Sequence, residues 1–336
     1  MINNSSKLLF LSTLILGTMI TISANSWISA WMGLEINLLS FIPLMSDNSL
    51  TSNEAALKYF LVQTIASAIL LFTILMMMYN MNKFLITSSS LILTSLFLKT
   101  GIAPFHFWFA NVMEGLSWMN NFILMTWQKI APFMLISYIS LNFLIIICSI
   151  LSASFGALGG LNQMMLRKLM AYSSINHLSW MLSSMMMNEI LWIMYFMFYV
   201  FLSFNLIFLF NLSKIYYFNQ LTSLFYNNKL IKFLVMLNFL SMGGLPPFLG
   251  FLPKWLIINE LVINNYFLLT FTLILFSLIT LFFYMRMAYI NYMLNYYEMY
   301  YKMKMYLNKF QMNLFLFMSF ISTSGLIMFS LVYYNF

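Results

Sequence analysis

A few side chains in this sequence can take up or release a proton from inside long apolar runs. They are Glu35 in WMGLEINLLSF, Lys99 and His106 in LFLKTGIAPFHFWFAN, Lys129 in WQKIAPF, His177 in AYSSINH and Lys254 in GFLPKW. A lysine at membrane depth costs roughly 2.5–3.5 kcal/mol on insertion scales, so such residues are kept for a use. Desolvation disfavours the charged form of an amine. A buried lysine can therefore load and release a proton near physiological pH, where a solvated one, titrating near about 10.4, stays charged. A nearby carboxylate restores the charged form. Moving Glu35 toward or away from Lys99 then switches the lysine between holding and releasing its proton. Lys129, a second cation, disfavours double protonation and pushes the proton onward. His106 and His177 are secondary relays, since a neutral imidazole passes protons through water. The competing readings are structural. A single lysine can snorkel or pair, and either histidine can be a hydrogen-bonded core residue. Glu260, near the end of its apolar run, reads as interfacial.

These side chains need elements that hold them at depth and admit water to them. Gly101 and Pro104 lie just beyond Lys99, and Gly243, Gly244, Pro246 and Pro247 precede Lys254. Gly and Pro in mid-span break a helix and free backbone groups, which hydrocarbon tolerates only where protein or a water-filled cavity covers them. At about 20 apolar residues per crossing, the chain reads as about eleven spans. Their limits are 8–24, 27–45, 55–79, 84–115, 119–140, 142–162, 168–187, 190–213, 230–263, 267–286 and 312–333. The fourth and ninth are the broken ones, and Pro132 is expected to kink the fifth. An offset of five spans inverts the second unit relative to the first. Paired interrupted segments at corresponding positions point to the site of a transporter built from inverted repeats. The repeats would cover 8–140 and 142–286, followed by a basic loop 287–311 and a last helix 312–333.

Loop charges fit this count. Even loops and their margins carry Lys7, Lys58, Arg167, Lys168, Lys214, Lys229, Lys232, Arg286, Lys302, Lys304 and Lys309, and odd loops carry Lys83. The positive-inside rule puts the N-terminus and even loops on the cytoplasmic side, or the matrix side in a mitochondrion, and the C-terminus opposite. Trp27, Trp31 and the tyrosine-rich run from Tyr289 to Tyr306 suit interfacial anchors. The loop 287–311, with Glu298 among its lysines, is either an amphipathic surface helix or a solvated connector. Lys7 to Ala24 has the outline of a signal peptide, but the apolar run is too long for one and further spans follow at once, so it reads as the first span.

Composition excludes much else. Of 336 residues, 63% are hydrophobic and 7% charged, against about 25% charged in soluble domains. The chain is thus a single all-helical polytopic membrane domain surrounded by phospholipid. The net charge of +8 reflects loop orientation rather than a nucleic-acid partner. Cys148 is the lone cysteine and reads as a small core hydrophobe. The methionine triplets at 76–78 and 185–187 read as packing, not metal sites. There is no dinucleotide or P-loop fingerprint, no cysteine cluster for zinc or iron–sulfur, and no histidine spacing suited to a bis-histidine haem. The chemistry left is conduction or carriage of small cations, protons above all.

Three stretches resemble one family. LKTGIAPFHFW (Leu98 to Trp108), LRKLMAYSSINH (Leu166 to His177) and GGLPPFLGFLPKW (Gly243 to Trp255) are similar to signatures of the antiporter-like subunits of respiratory NADH:ubiquinone oxidoreductase, complex I. Such subunits usually have about fourteen helices, with these breaks on the seventh and twelfth. Here the first break falls on the fourth span, as in versions from animal mitochondria that lack three N-terminal helices, and the length and composition resemble an arthropod version. The resemblance implies a proton-translocating subunit of the mitochondrial inner membrane. Glu35, Lys99, Lys129 and Lys254 would match the family's proton-path residues, with Lys254 linking to the far side or to a neighbouring subunit, and His177 would lie along its hydrated axis. It implies membrane-arm partners, neighbouring antiporter-like subunits among them, that cover the surface left by the missing helices. It implies no cofactor on this chain, since NADH, flavin, iron–sulfur clusters and ubiquinone would be held by other subunits. Two alternatives stay open: a free-standing Mrp-type cation/proton antiporter, and a structural subunit whose lysines are merely paired.

Overall fold

Apolar runs with hydroxyls every few residues fold here into helices that satisfy themselves. Ser and Thr side chains donate to carbonyls one turn back, as Thr73 does to Leu70 at 2.7 Å, Ser95 to Ile92 at 2.7 Å and Ser183 to Trp180 at 2.9 Å. That removes the hydroxyl from the list of groups needing water or a neighbour. The computed structural model describes residues 4–46, 49–79, 85–139, 142–218, 220–221, 229–289 and 309–335. Lys83, Leu141 beside the expected fifth-to-sixth boundary, and most of the basic loop, including Glu298, Lys302 and Lys304, lie outside the described residues.

The chain forms two units, Met1–Cys148 and Ser149–Phe336. The first contains α1 (Asn4–Ile22), α2 (Trp27–Met45), α3 (Leu50–Tyr79), α4 (Leu85–Thr100), α5 (Phe107–Gly115), α6 (Trp118–Met125) and α7 (Trp127–Ser137). α8 (Asn142–Gly160) runs from the first unit into the second. The second unit continues with α9 (Leu166–Met185), α10 (Glu189–Ser213), α11 (Lys229–Gly243), α12 (Phe251–Ile263), α13 (Phe267–Tyr289) and α14 (Lys309–Asn335). Among the described residues, seven helices have stretches long and apolar enough to cross a membrane: Ser5–Ile22, Trp27–Met45, Leu50–Tyr79, Asn142–Gly160, Glu189–Ser213, Phe267–Tyr289 and Phe310–Ile327.

In the first unit α1 and α2 cross at very short range. A Cβ on Gly33 would come within 2.5 Å of Thr21 Cγ2 and 2.9 Å of the Gly17 carbonyl oxygen. Ser26 starts α2, accepting the Ser29 N–H in a reciprocal capping box. In the second unit α9 is buried along most of its length despite carrying Ser173, Ser174, Asn176, His177 and Ser179. This helix is polar because its neighbours, not lipid, surround it. Asn176 reaches Thr280 of α13 at 3.2 Å.

The two broken helices share one local geometry. At the first break the N–H groups of Gly101 and Ile102 both return to the Phe97 carbonyl, at 3.0 and 3.1 Å, and Phe105 bonds to Ile102 at 2.9 Å. At the second, Gly244 and Leu245 both return to Leu240, at 3.1 and 3.4 Å, and Phe248 bonds to Leu245 at 3.0 Å. Gly101 and Gly244 both take left-handed backbone, with φ of 75° and 80°, a conformation that glycine adopts without the steric penalty of a side chain. The fifth expected span differs from its sequence reading. It breaks at Thr126, between α6 and α7, ahead of Lys129, while Pro132 lies inside α7. The Thr126 hydroxyl and backbone N–H both go to the Phe122 carbonyl, at 2.6 and 3.0 Å, and the helix restarts at Trp127.

Candidate functional site

In the first unit, Lys99 from the end of α4 and Lys129 from the first turn of α7 line one small cavity. Both are deeply buried, 7% and 1% exposed, at helix ends that meet inside the unit. The cavity wall is mixed: Asn37 of α2, Tyr59 and Gln63 of α3, Thr100 of α4 and Gln128 of α7 share it with Leu34, Leu38, Trp108, Phe109, Leu124 and Pro132. The break beside Lys99 frees carbonyls, and side chains take them up. Gln63 Nε2 donates to the Lys99 carbonyl at 3.2 Å, and the Trp108 indole N–H to the Leu98 carbonyl at 3.1 Å. The Lys99 backbone is thereby pinned while its ammonium group remains on the cavity. Lys129 Nζ sits 5.0 Å from the Phe109 ring centroid, in range for a cation–π contact.

Glu35 approaches this site from α2. Its Oε1 atom is buried and has no hydrogen-bond partner. Among the described residues it forms no ion pair with Lys99. The expected switching pair is therefore not in contact in this conformation. His106 immediately precedes α5 without a side-chain capping bond, is buried, and packs against the Phe107 ring at 4.2 Å. It is not part of the cavity wall that Lys99 and Lys129 share.

In the second unit, Lys254 from the first turn of α12 reaches back across the second break. Its Nζ donates to the Gly243 carbonyl at 2.8 Å and lies 5.9 Å from the Trp180 ring of α9. His177 lies one turn before Trp180 on α9. Its Nδ1 is 2.8 Å from the Tyr195 hydroxyl, and its ring is 5.1 Å from that of Tyr199. Beside the break, Asn238 Oδ1 of α11 accepts from Asn205 of α10 at 3.0 Å and from Ser322 of α14 at 2.6 Å.

The structure thus sets Lys99 and Lys129 on one cavity whose lining does not include Glu35, and places Lys254 near Trp180, one turn along α9 from His177. Sequence reasoning missed Tyr59, Gln63 and Gln128 in the first unit and Tyr195 and Tyr199 in the second. A search confined to charged groups and histidine passes over them. The available signal was an amide or phenol within an apolar run, such as Gln63 in YFLVQTIASA.

Residues 24–280 match the family model described as NADH:quinone oxidoreductase/Mrp antiporter, TM. Over 262 residues the chain is 61% identical to NADH-ubiquinone oxidoreductase chain 2 of Anopheles gambiae, covering 76% of this chain and 77% of that one. It is 54% identical to the protein of the same name from Aedes aegypti over 263 residues, again 76% of this chain and 77% of that one. Its fold is similar to that of a chain of respiratory complex I from Thermus thermophilus, solved with bound aureothin. The TM-score is 0.85 at 21% identity, covering 95% of this chain and 77% of that one.

Proposed function

The chain belongs to the family of NADH-ubiquinone oxidoreductase chain 2, antiporter-like membrane subunits of respiratory complex I, and on that premise we propose that it moves protons along Glu35, Lys99, Lys129 and Lys254. The observation that carries the reading is the cavity of the first unit, where two buried lysines share one wall with Asn37, Tyr59, Gln63, Thr100 and Gln128. Such groups exchange protons with each other through the cavity more readily than with bulk water, because apolar helices exclude the bulk. Glu35 biases Lys99 by its charge, Lys129 relays, and Lys254 controls the exit or the link to a neighbouring subunit. His177 with Tyr195 is a secondary relay, and His106 a further one on the first break.

The broken pairs α4/α5, α6/α7 and α11/α12 are each read as one crossing, which gives eleven crossings in two inverted repeats, 8–140 and 142–286, with α14 outside them. The basic even loops support a matrix-side N-terminus and a C-terminus facing the intermembrane space of the mitochondrial inner membrane. Electron transfer from NADH to ubiquinone is assigned to other subunits, with no redox centre on this chain. Membrane-arm neighbours, antiporter-like subunits among them, and phospholipid cover its exposed apolar faces.

The deciding experiment is proton pumping per NADH oxidised, in proteoliposomes, for assembled complex I carrying Lys129→Met. Methionine keeps the length of the side chain and removes its proton. Loss of turnover, or electron flow with fewer protons moved, supports the path. Unchanged activity and stoichiometry in an assembled complex would make Lys129 structural.

A further inference from the structure

Tyr195 and Tyr199 stand one turn apart on α10, on the face that meets His177 of α9. All three side chains are buried. The His177 ring lies 5.1 Å from the Tyr199 ring and 5.9 Å from the Tyr195 ring, centroid to centroid. Phe196 and Trp192 extend this aromatic wall, Phe196 lying 6.5 Å from Tyr199 and 6.4 Å from Trp192. Packing therefore restricts how the imidazole turns. In the orientation it adopts, Nδ1 meets the Tyr195 hydroxyl at 2.8 Å, the length of a fully formed hydrogen bond.

Acid and base strength decide which partner donates. A phenol in water titrates near about 10 and an imidazolium near about 6.5, and the N–H of a neutral imidazole is a far weaker acid than a phenol. O–H···N is therefore the stronger arrangement, with Tyr195 donating and Nδ1 accepting. A neutral imidazole has one N–H and one lone pair. With the lone pair on Nδ1, the ring proton is on Nε2. We propose that Tyr195 is a positioning residue that holds neutral His177 as its Nε2–H tautomer, so that the ring gives protons from Nε2 and loads them at Nδ1 only when the hydroxyl turns aside. Loading needs no other bond to break. A proton from water bonds to Nδ1, and the hydroxyl rotates about its C–O bond until its oxygen accepts the new N–H. The tautomer is a property of the pair itself. Its effect on turnover rests on the reading of His177 as a secondary relay.

The test uses purified, assembled complex I, native and with Tyr195→Phe, His177→Asn and the two combined. Tyr195→Phe keeps the ring and removes only the hydroxyl. The first readout is infrared: the imidazole ring stretch separates the two tautomers, and subtracting the His177→Asn spectrum isolates the band of His177. The native complex should show the Nε2–H form, and Tyr195→Phe should gain the Nδ1–H form. A native Nδ1–H band, or bands that Tyr195→Phe does not change, overturn the assignment. The second readout is turnover, expected to fall roughly two- to tenfold in Tyr195→Phe, the scale of one lost hydrogen bond. The double variant should be no slower than His177→Asn alone, because both changes act through one ring. Losses that multiply, or native turnover in Tyr195→Phe, overturn the positioning role. Should Tyr195→Phe fail to assemble, the band of the native complex decides, with His177→Gln as the second reference for subtraction. The two readings fail separately. An inert His177→Asn removes the relay, and a slow His177→Asn beside an unchanged Tyr195→Phe removes Tyr195 alone.

Discussion

Lys254 donates to the Gly243 carbonyl from the far side of the second break, so one side chain serves both the backbone and the proposed path. A hydrogen bond made by a charged group contributes about 1.5–3 kcal/mol. Lys254→Met should therefore lower the melting temperature of the assembled membrane arm as well as turnover. Lys254→Arg should recover stability, since guanidinium also donates, without full turnover, since arginine does not give up its proton. Full turnover in Lys254→Arg would confine Lys254 to holding the break. The first break is arranged differently. There a neutral amide, Gln63, takes the carbonyl of Lys99, and the lysine side chain is left to the cavity. The charged residues of both sites were legible in the sequence because charge inside an apolar run is rare and costly. Tyr59, Gln128 and Tyr195 were not, because a phenol or amide at depth is common and gains its meaning only from what the fold sets beside it.

Among the elements, both broken helices could be read from glycine and proline spacing, and their shared hydrogen-bond pattern explains why. The residue in left-handed backbone at each break is glycine. The prediction here separates adjacent glycines. A Cβ at Gly244 would sit 3.0 Å from Lys254 Nζ in a backbone conformation costing an L-residue about 1–2 kcal/mol. A Cβ at Gly243 would meet nothing nearer than 3.5 Å. Gly244→Ala should impair turnover and assembly together, whereas Gly243→Ala should assemble and turn over as the native protein does. Similar behaviour of the two, measured as NADH oxidation and complex yield, would deny the break its dependence on this geometry. The Thr126 break was illegible. No glycine or proline marks it, and it follows from a threonine hydroxyl and its own N–H converging on one carbonyl. Its effect is to start a fresh helix just before Lys129.

For the molecule as a whole, the sequence supplied the membrane class and the loop charges supplied an orientation, which a labelling experiment can decide. Asn25 and Ser49 are exposed in successive loops of the first unit, and Cys148, the lone cysteine, is buried. Asn25→Cys should react with a membrane-impermeant maleimide in mitoplasts. Ser49→Cys should react only in inverted particles. The opposite pattern would invert the whole topology. What the sequence did not disclose is that α14, beyond a long basic connection, takes part in the second break. Ser322 donates to Asn238 and its carbonyl accepts the N–H of Leu249, while Gly325 leaves room for the Leu249 side chain. Domains generally fold from the N-terminus during synthesis, and α14 follows every other helix of its unit in sequence. The contacts that Ser322 gives the second break therefore form last, and a chain released before it would keep every lysine of the proposed path without them.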